Sequence, residues 1–312
     1  METRSLAGIS TRLFAQLADP LDGGGYPALY QDTNSASLAG QNDYLNALRM
    51  RLGGLLFATL GAAIFFTLQL PGVAGWSALI GFVVALCAEI FTAVSKPERR
   101  WYEGRAAAES AKTLAWRYAV GGEKFEIDMA EVDVAFIKAL RSILSDLNDI
   151  QLEGVVDASD QITPKMREIR SKPFEERRNL FAEGRIEDQR AWYSRKSQWN
   201  RKRQRRWTTA VIAAEGLGIL GGAATIAYSL SIDLLGILAA LAATITAWVQ
   251  AKQHSTLATA YGITAQELAS IHSELASVDA SAWANFVGQS EEAISREHTL
   301  WRASRGVQHG RA

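Results

Sequence analysis

The chain has 312 residues, and its 33 basic and 33 acidic side chains cancel to no formal net charge, so nothing global attracts nucleic acid or an acidic partner. Hydrophobic residues make up an ordinary 48%, but they are gathered into four almost purely apolar stretches, with the rest rich in Arg, Glu and Asp. One cysteine, Cys87, excludes an intramolecular disulfide and a structural zinc site; it fits a reducing cytoplasm and is expected to be a small buried apolar residue.

The first 48 residues show no charged start followed by an apolar core and a small-residue cleavage site, so the internal apolar segments are expected to direct membrane insertion. Met1 to Gln41 reads as a mildly amphipathic start (Leu6, Ile9, Leu13, Phe14, Leu17) and a turn-rich stretch from Asp19-Pro20 to Pro27.

The first predicted span covers Leu52 to Leu70 and the second about Val73 to Val94. Each is near the ~20 residues that cross a ~30 Å hydrocarbon layer. Pro71-Gly72 joins them, a link short enough to force an antiparallel hairpin. Trp101 to Tyr118 then reads as a continuation of the second helix, without a break until Gly121-Gly122. An acidic stretch follows, with a predicted helix from Ala130 to Ile150.

From Lys165 to Trp207 the chain turns basic, with 15 Lys and Arg against 6 Asp and Glu. Pro173 is placed to start a long helix that runs into a third span, about Thr208 to Leu230. Ser229 to Asp233 links it to a fourth span, Ile232 to Val249, with Asp233 at a solvated tip. Two further helices, about Thr256 to Val278 and Ser281 to Arg305, complete the pattern. The fold class is therefore all-α, a membrane protein with two transmembrane hairpins and helical extensions. The competing reading is two pairs of buried helices in a soluble bundle, which seldom run so long without a polar face.

Basic residues flank only one end of each hairpin. Arg49 and Arg51 precede the first span; Lys96, Arg99 and Arg100 follow the second; Arg201, Lys202, Arg203, Arg205 and Arg206 precede the third; Lys252 follows the fourth. Neither tip carries Lys or Arg, which places both termini and the central region in the cytoplasm. Trp76, Trp101, Trp207 and Trp248 suit an interfacial belt. Besides anchoring, a basic helix interleaved with aromatics serves as a partner for the acidic segment, for anionic headgroups or for a nucleotide, although no phosphate-cradling glycine loop accompanies it.

The spans carry small residues four apart, a spacing that lets helices approach closely and self-associate. These are Gly54, Ala58 and Ala62; Ala210, Ala214, Gly218 and Gly222; and Ala239, Ala243 and Ala247. In the second span the series Ser77, Gly81, Ala85, Glu89 puts a carboxylate on the packing face, roughly 10 Å inward from Lys96. Glu215 lies roughly 13 Å past Arg206 in the third span. Carboxylates at that depth either line a pore formed by several chains, or snorkel to the interface and pair with Arg. Gly216 to Gly221 spells G-x-G-x-x-G inside an apolar span, so it reads as helix packing and not as a dinucleotide site. His254, His272, His298 and His309 show no metal spacing, and no nucleophile stands in a catalytic context. The expectation is that the protein is not an enzyme, holds no cofactor and binds no nucleic acid.

Three stretches of the first half, YPALY (Tyr26–Tyr30), Gln41-x-x-Tyr44 and KPERRWYEGRAAAESAKTLAWRY (Lys96–Tyr118), resemble the SLATT superfamily of bacterial two-span membrane effectors. In the second half EGRIEDQRAWYSRKS (Glu183–Ser197), AYGITAQEL (Ala260–Leu268) and EEAISREHTLWRASR (Glu291–Arg305) resemble another subtype. The resemblance covers about residues 8–165 and 172–306 and implies tandem modules, here divided as 1–165 and 166–312. It further implies a homo-oligomeric pore-forming effector of a bacterial anti-phage system in the cytoplasmic membrane. The implied trigger is a nucleotide second messenger or a cytoplasmic sensor protein. The alternative is a membrane-anchored sensor or scaffold without conductance. WY follows the hairpin in one half and precedes it in the other, so the halves share architecture and not close sequence.

Overall fold

The computed structural model describes residues 19–145, 147 and 160–306, and all regular structure among them is helical. The amphipathic start, with Leu6, Ile9, Leu13, Phe14 and Leu17, lies outside the described residues, as does the predicted helix end at 148–150. In chain order the helices are α1 (Ala28–Thr67), α2 (Pro71–Ser95), α3 (Pro97–Val120), α4 (Val132–Ser145), α5 (Pro164–Arg170) and α6 (Phe174–Phe181). A π-helical segment, Ala182–Glu187, leads into α7 (Asp188–Tyr228), followed by α8 (Leu234–Lys252), α9 (His254–Leu275) and α10 (Trp283–Gly306).

Among the described residues four helices are long and apolar enough to cross a membrane. They hold the four predicted spans, and the connectors Leu68–Leu70 and Ser229–Asp233 are as short as hairpins require. Asp233 does more than face solvent at its tip. Its Oδ1 accepts the Gly236 backbone N–H at 2.8 Å and caps α8.

The first helix begins far earlier than its span, at Ala28. The segment between is rich in Ser, Thr, Asn and Asp, which compete with helical hydrogen bonding and mask the helix in sequence. Tertiary contact supplies what propensity lacks. Ser37 donates to the Trp101 carbonyl at 2.9 Å, and a Cβ on Gly104 would lie 2.9 Å from the Thr33 carbonyl oxygen, so α1 and α3 are nearly in backbone contact there.

The continuous helix expected from the second span into Trp101–Tyr118 is broken at one residue. Lys96 takes a left-handed conformation, φ 42°, with its N–H bonded to the Thr92 carbonyl. Pro97 follows, and its ring disfavours helical geometry in the residue before it. Gln253, φ 49°, separates α8 from α9 in the same way without a proline.

The chain forms two compact units. A span unit contains residues 40–99 and 197–259, and a polar unit contains 19–39, 100–196 and 260–306 of the described chain. The chain passes between the units four times, each time within a helix: α1, α3, α7 and α9. Both sequence halves therefore contribute to each unit.

The polar unit has the hydrophobic core, centred on Trp116, Tyr118, Phe125, Phe136, Phe181, Ile186, Tyr193 and Val287. Trp116 packs edge-on to Phe181 at 5.8 Å, and Trp283 donates through Nε1 to the Val120 carbonyl at 2.8 Å. Polar groups are carried into this core with partners, as burial demands. Asp19 accepts from the Tyr26 hydroxyl and the Leu21 amide and pairs with Lys112 at 3.2 Å, while Trp116 Nε1 donates to the Tyr26 oxygen at 2.9 Å. Burial, then the charge of Asp19, raises the Tyr26 hydroxyl well above its usual range, so it remains a donor.

Candidate functional site

The span unit has a close-packed seam between α1 and α2. Gly54 and Gly81 face one another so closely that a Cβ on Gly54 would lie 2.7 Å from the Gly81 carbonyl oxygen. A Cβ on Gly61 would meet Ser77 Oγ at 2.5 Å. Ser77, Gly81 and Ala85 are buried as the small-residue series implied, and so are Gly54 and Ala58.

The series then departs from four-residue spacing. Four residues advance a helix by about 400°, so each step drifts about 40° from the face. The buried set of α2 is accordingly Ala74, Ser77, Gly81, Ala85 and Ala88, not Glu89. Glu89 has rotated off the packing face by about 120° relative to Ser77. It is half exposed and pairs with Arg51 of α1 at 2.8 Å. On α1 Gly61 is buried, while Ala62 is only partly so. Cys87 is exposed and not buried, because it lies about 200° around the helix from the buried Ala85.

The second hairpin is looser at Gly218 and Gly222 but not at Gly221, where a Cβ would lie 2.9 Å from the Leu234 Cβ. Ala214 and Gly218 are buried, but Cβ atoms added at Gly218 and Gly222 would meet Leu238 and Leu235 at ordinary distances of 3.5 and 3.6 Å. Ala242 is the buried alanine of α8, whereas Ala239 and Ala243 are exposed, a correction to the predicted face. Glu215 is exposed on α7, and no hydrogen bond or ion pair engages it among the described residues.

At the basic ends of the spans Lys96, Arg99, Arg201, Lys202, Arg203, Arg205 and Arg206 are exposed, and Arg100 is half-buried. His254, buried just past the fourth span, bonds through Nδ1 to Asn200 Oδ1 at 2.7 Å. Burial first, then Lys252 and Arg203, hold its imidazole below the ordinary value of 6.5. Charging it therefore opposes the fold. Its contribution is fully present above the unfolded value and is lost as pH falls through the lower folded one. The melting temperature of the detergent-solubilised chain is expected to fall between about pH 7.5 and about pH 5, and His254→Asn to flatten that slope. Parallel slopes for the two proteins would remove His254 as the cause.

The sequence drew no attention to a buried ion pair in the polar unit. Arg185 and Glu291 are both fully buried. Arg185 donates through Nε to Oε1 at 2.8 Å and through Nη2 to Oε2 at 2.7 Å, and the Thr113 hydroxyl donates to Oε2 at 3.0 Å. Burial alone would lower the guanidinium; the facing carboxylate outweighs it and raises the value above the usual one. Arg185 sits in the π-helical segment, whose wider turn re-aims side chains compared with an α-helix. The two residues belong to stretches singled out above, Glu183–Ser197 and Glu291–Arg305, whose members Arg185, Ile186, Tyr193, Glu291 and Ile294 are buried.

Comparison with known proteins agrees with this architecture. Residues 27–178 match the family model described as SMODS and SLOG-associating 2TM effector domain 3, and residues 181–301 match that of effector domain 1. No curated protein and no solved structure matches the chain. Two-span modules of two subtypes, in tandem and covering most of the sequence, make this chain a member of the SLATT superfamily and a multi-pass membrane effector.

Proposed function

We propose that several copies of this chain assemble in the bacterial cytoplasmic membrane into a pore that depolarises the cell when triggered from the cytoplasm during phage infection. Glu215 is the observation that carries this reading. A carboxylate exposed on an apolar span, without a partner among the described residues, is costly in hydrocarbon and is normally found facing a bundle interior or a wet cavity. Assembly supplies such an environment, with a ring of Glu215 near the basic end of the spans. Glu89 and Arg51 add an exposed ion pair near the same end. The predicted charge asymmetry supports cytoplasmic termini and a cytoplasmic trigger, because the two tips are too small to hold much of a ligand. The function needs no catalysis, cofactor or nucleic acid.

Expression in bacteria with a membrane-potential dye tests the proposal. Triggered depolarisation is the expected result, and a strong, triggered inducer that leaves potential and growth untouched would sink it. In planar bilayers Glu215→Gln and Glu89→Gln are each expected to change single-channel conductance or cation preference. Unchanged currents would remove that carboxylate from the pore.

A second reading, a sensor without conductance, is favoured by an open groove in the polar unit. It has a volume of about 560 Å³ and is lined by Tyr118, Asp133, Arg167 and Arg170 among others. Its arginines are committed, Arg167 to Asp133 at 2.7 Å and Arg170 to the carbonyls of Tyr118, Phe125 and Glu126. A nucleotide binding there without bilayer conductance would favour this reading.

A further inference from the structure

Three cations from three helices converge in the span unit, and among the described residues no carboxylate is paired to any of them. Arg49 of α1 lies over the Trp248 ring at 5.6 Å, and Lys252 at the end of α8 lies over the same ring at 5.1 Å. Arg203 of α7 lies over Trp199 at 4.9 Å, and Trp199 in turn packs against the His254 ring at 5.6 Å. The left-handed turn at Gln253 is what swings His254 back beside Lys252. Burial lowers the Lys252 ammonium, as do the facing Arg49 and Arg203; no acidic group acts on it in the opposite sense. Among the described residues the polar side-chain partner of Arg49 is the neutral Asn46, at 2.7 Å.

Like charges brought together by a fold repel, and the indole faces offset this only in part. An arrangement of this kind is completed by an anion. Lys252 stands three residues beyond the end of the fourth predicted span, and Arg203 five residues before the start of the third. That is the depth of the lipid headgroups, and tryptophan is the residue suited to it.

We propose that Arg49, Arg203 and Lys252, on their two tryptophan platforms, form a binding site for the phosphate of an anionic phospholipid. The site is assembled from both sequence halves, since Arg49 comes from the first hairpin and the other two cations from the second. A lipid phosphate bound there bridges the hairpins, which makes the site distinct from a diffuse basic surface. It depends on the chain spanning a membrane and not on whether a pore opens.

The test uses the full chain in nanodiscs of phosphatidylcholine doped with phosphatidylglycerol, with retained lipid counted by native mass spectrometry. The double variant R49Q/K252Q is expected to lose about 30-fold in affinity for phosphatidylglycerol, from about a factor of five per cation. The control pair K202Q/R205Q, on other faces of α7, should lose several-fold less. Equal losses from the two pairs would overturn the site in favour of general surface charge. The variant W248L keeps every cation and should still weaken retention if the platform positions them; full retention would argue against the site. R49K/K252R guards against misfolding, because it must keep binding. Inorganic phosphate added to lipid-free micelles is the remaining arm. Protection of the fold by phosphate alone, equal to that by the lipid, would overturn the lipid as the source of the anion.

Discussion

Replacing Glu291 by Gln is expected to destabilise the polar unit by about 3–5 kcal/mol, the usual result of leaving one charge of a buried pair uncompensated. Arg185 is fully buried and makes both of its carboxylate bonds to Glu291. Its third guanidinium nitrogen, Nη1, has no partner among the described residues, so no spare acceptor is there to absorb the loss. Thr113 would lose its charged acceptor as well. Removing both charges has a different sign of argument. Attraction in the pair is largely spent on desolvating it, so R185M/E291L is expected to recover most of the loss and to come within about 1–2 kcal/mol of the parent. Near-UV circular dichroism during thermal or denaturant unfolding reads the effect, since Trp116 and Trp283 report on the same core. The double-mutant cycle separates coupling from the two single costs. A loss below about 1 kcal/mol for E291Q would mean that water reaches the pair.

The second large effect is expected at Gly81 in the first hairpin and not at Gly218 in the second. Gly81→Ala places a methyl group against the Gly54 carbonyl oxygen, the Ala58 Cβ at 2.7 Å and the Ala58 amide nitrogen at 2.8 Å. Two of those three atoms are backbone and cannot turn aside, so α1 and α2 must separate along their seam. Overpacking of this kind costs about 1–3 kcal/mol. Gly218→Ala meets only the Leu238 Cβ at 3.5 Å and the Leu235 side chain at 3.8 Å, and should lie within about 0.5 kcal/mol of the parent. Melting of the two full-length variants in mild detergent reads the contrast. If a seam-opening G81A also abolishes depolarisation while G218A leaves it intact, the first hairpin is the element whose packing the activity requires. Equal melting temperatures for the two variants would refute the difference in packing.

Much of the span unit was legible in the sequence because hydropathy and linker length are local properties. An apolar stretch of about twenty residues needs no knowledge of its neighbours to be read as a span. The seam at Ser77, Gly81 and Ala85 was legible for the same reason. Its continuation was not, because a face read in steps of four drifts away from a helix with 3.6 residues per turn. That drift put Glu89 on the wrong side and exchanged Ala62 for Gly61 and Ala243 for Ala242. The extension of α1 back to Ala28 was hidden because its helix is held by contact with α3 and not by its own residues.

By itself the sequence determined four spans in two hairpins, the tandem of two related modules and the all-helical class. The spans and the helical class follow from composition and order along the chain, and the tandem from the resemblance of its two halves to known modules. Only the tertiary structure decided that both sequence halves contribute to each of the two compact units. It gathers both hairpins into one unit and weaves Trp116 with Phe181, and Thr113 with the Arg185–Glu291 pair, into one core. The reason is physical. A buried charge or an indole ring is stabilised by whatever the fold brings to it, and the identity of that partner is not written in the periodicity of either strand of sequence. The cations on Trp248 and Trp199 belong to the same class: each was visible as one more positive residue, and only their convergence gives them a common ligand.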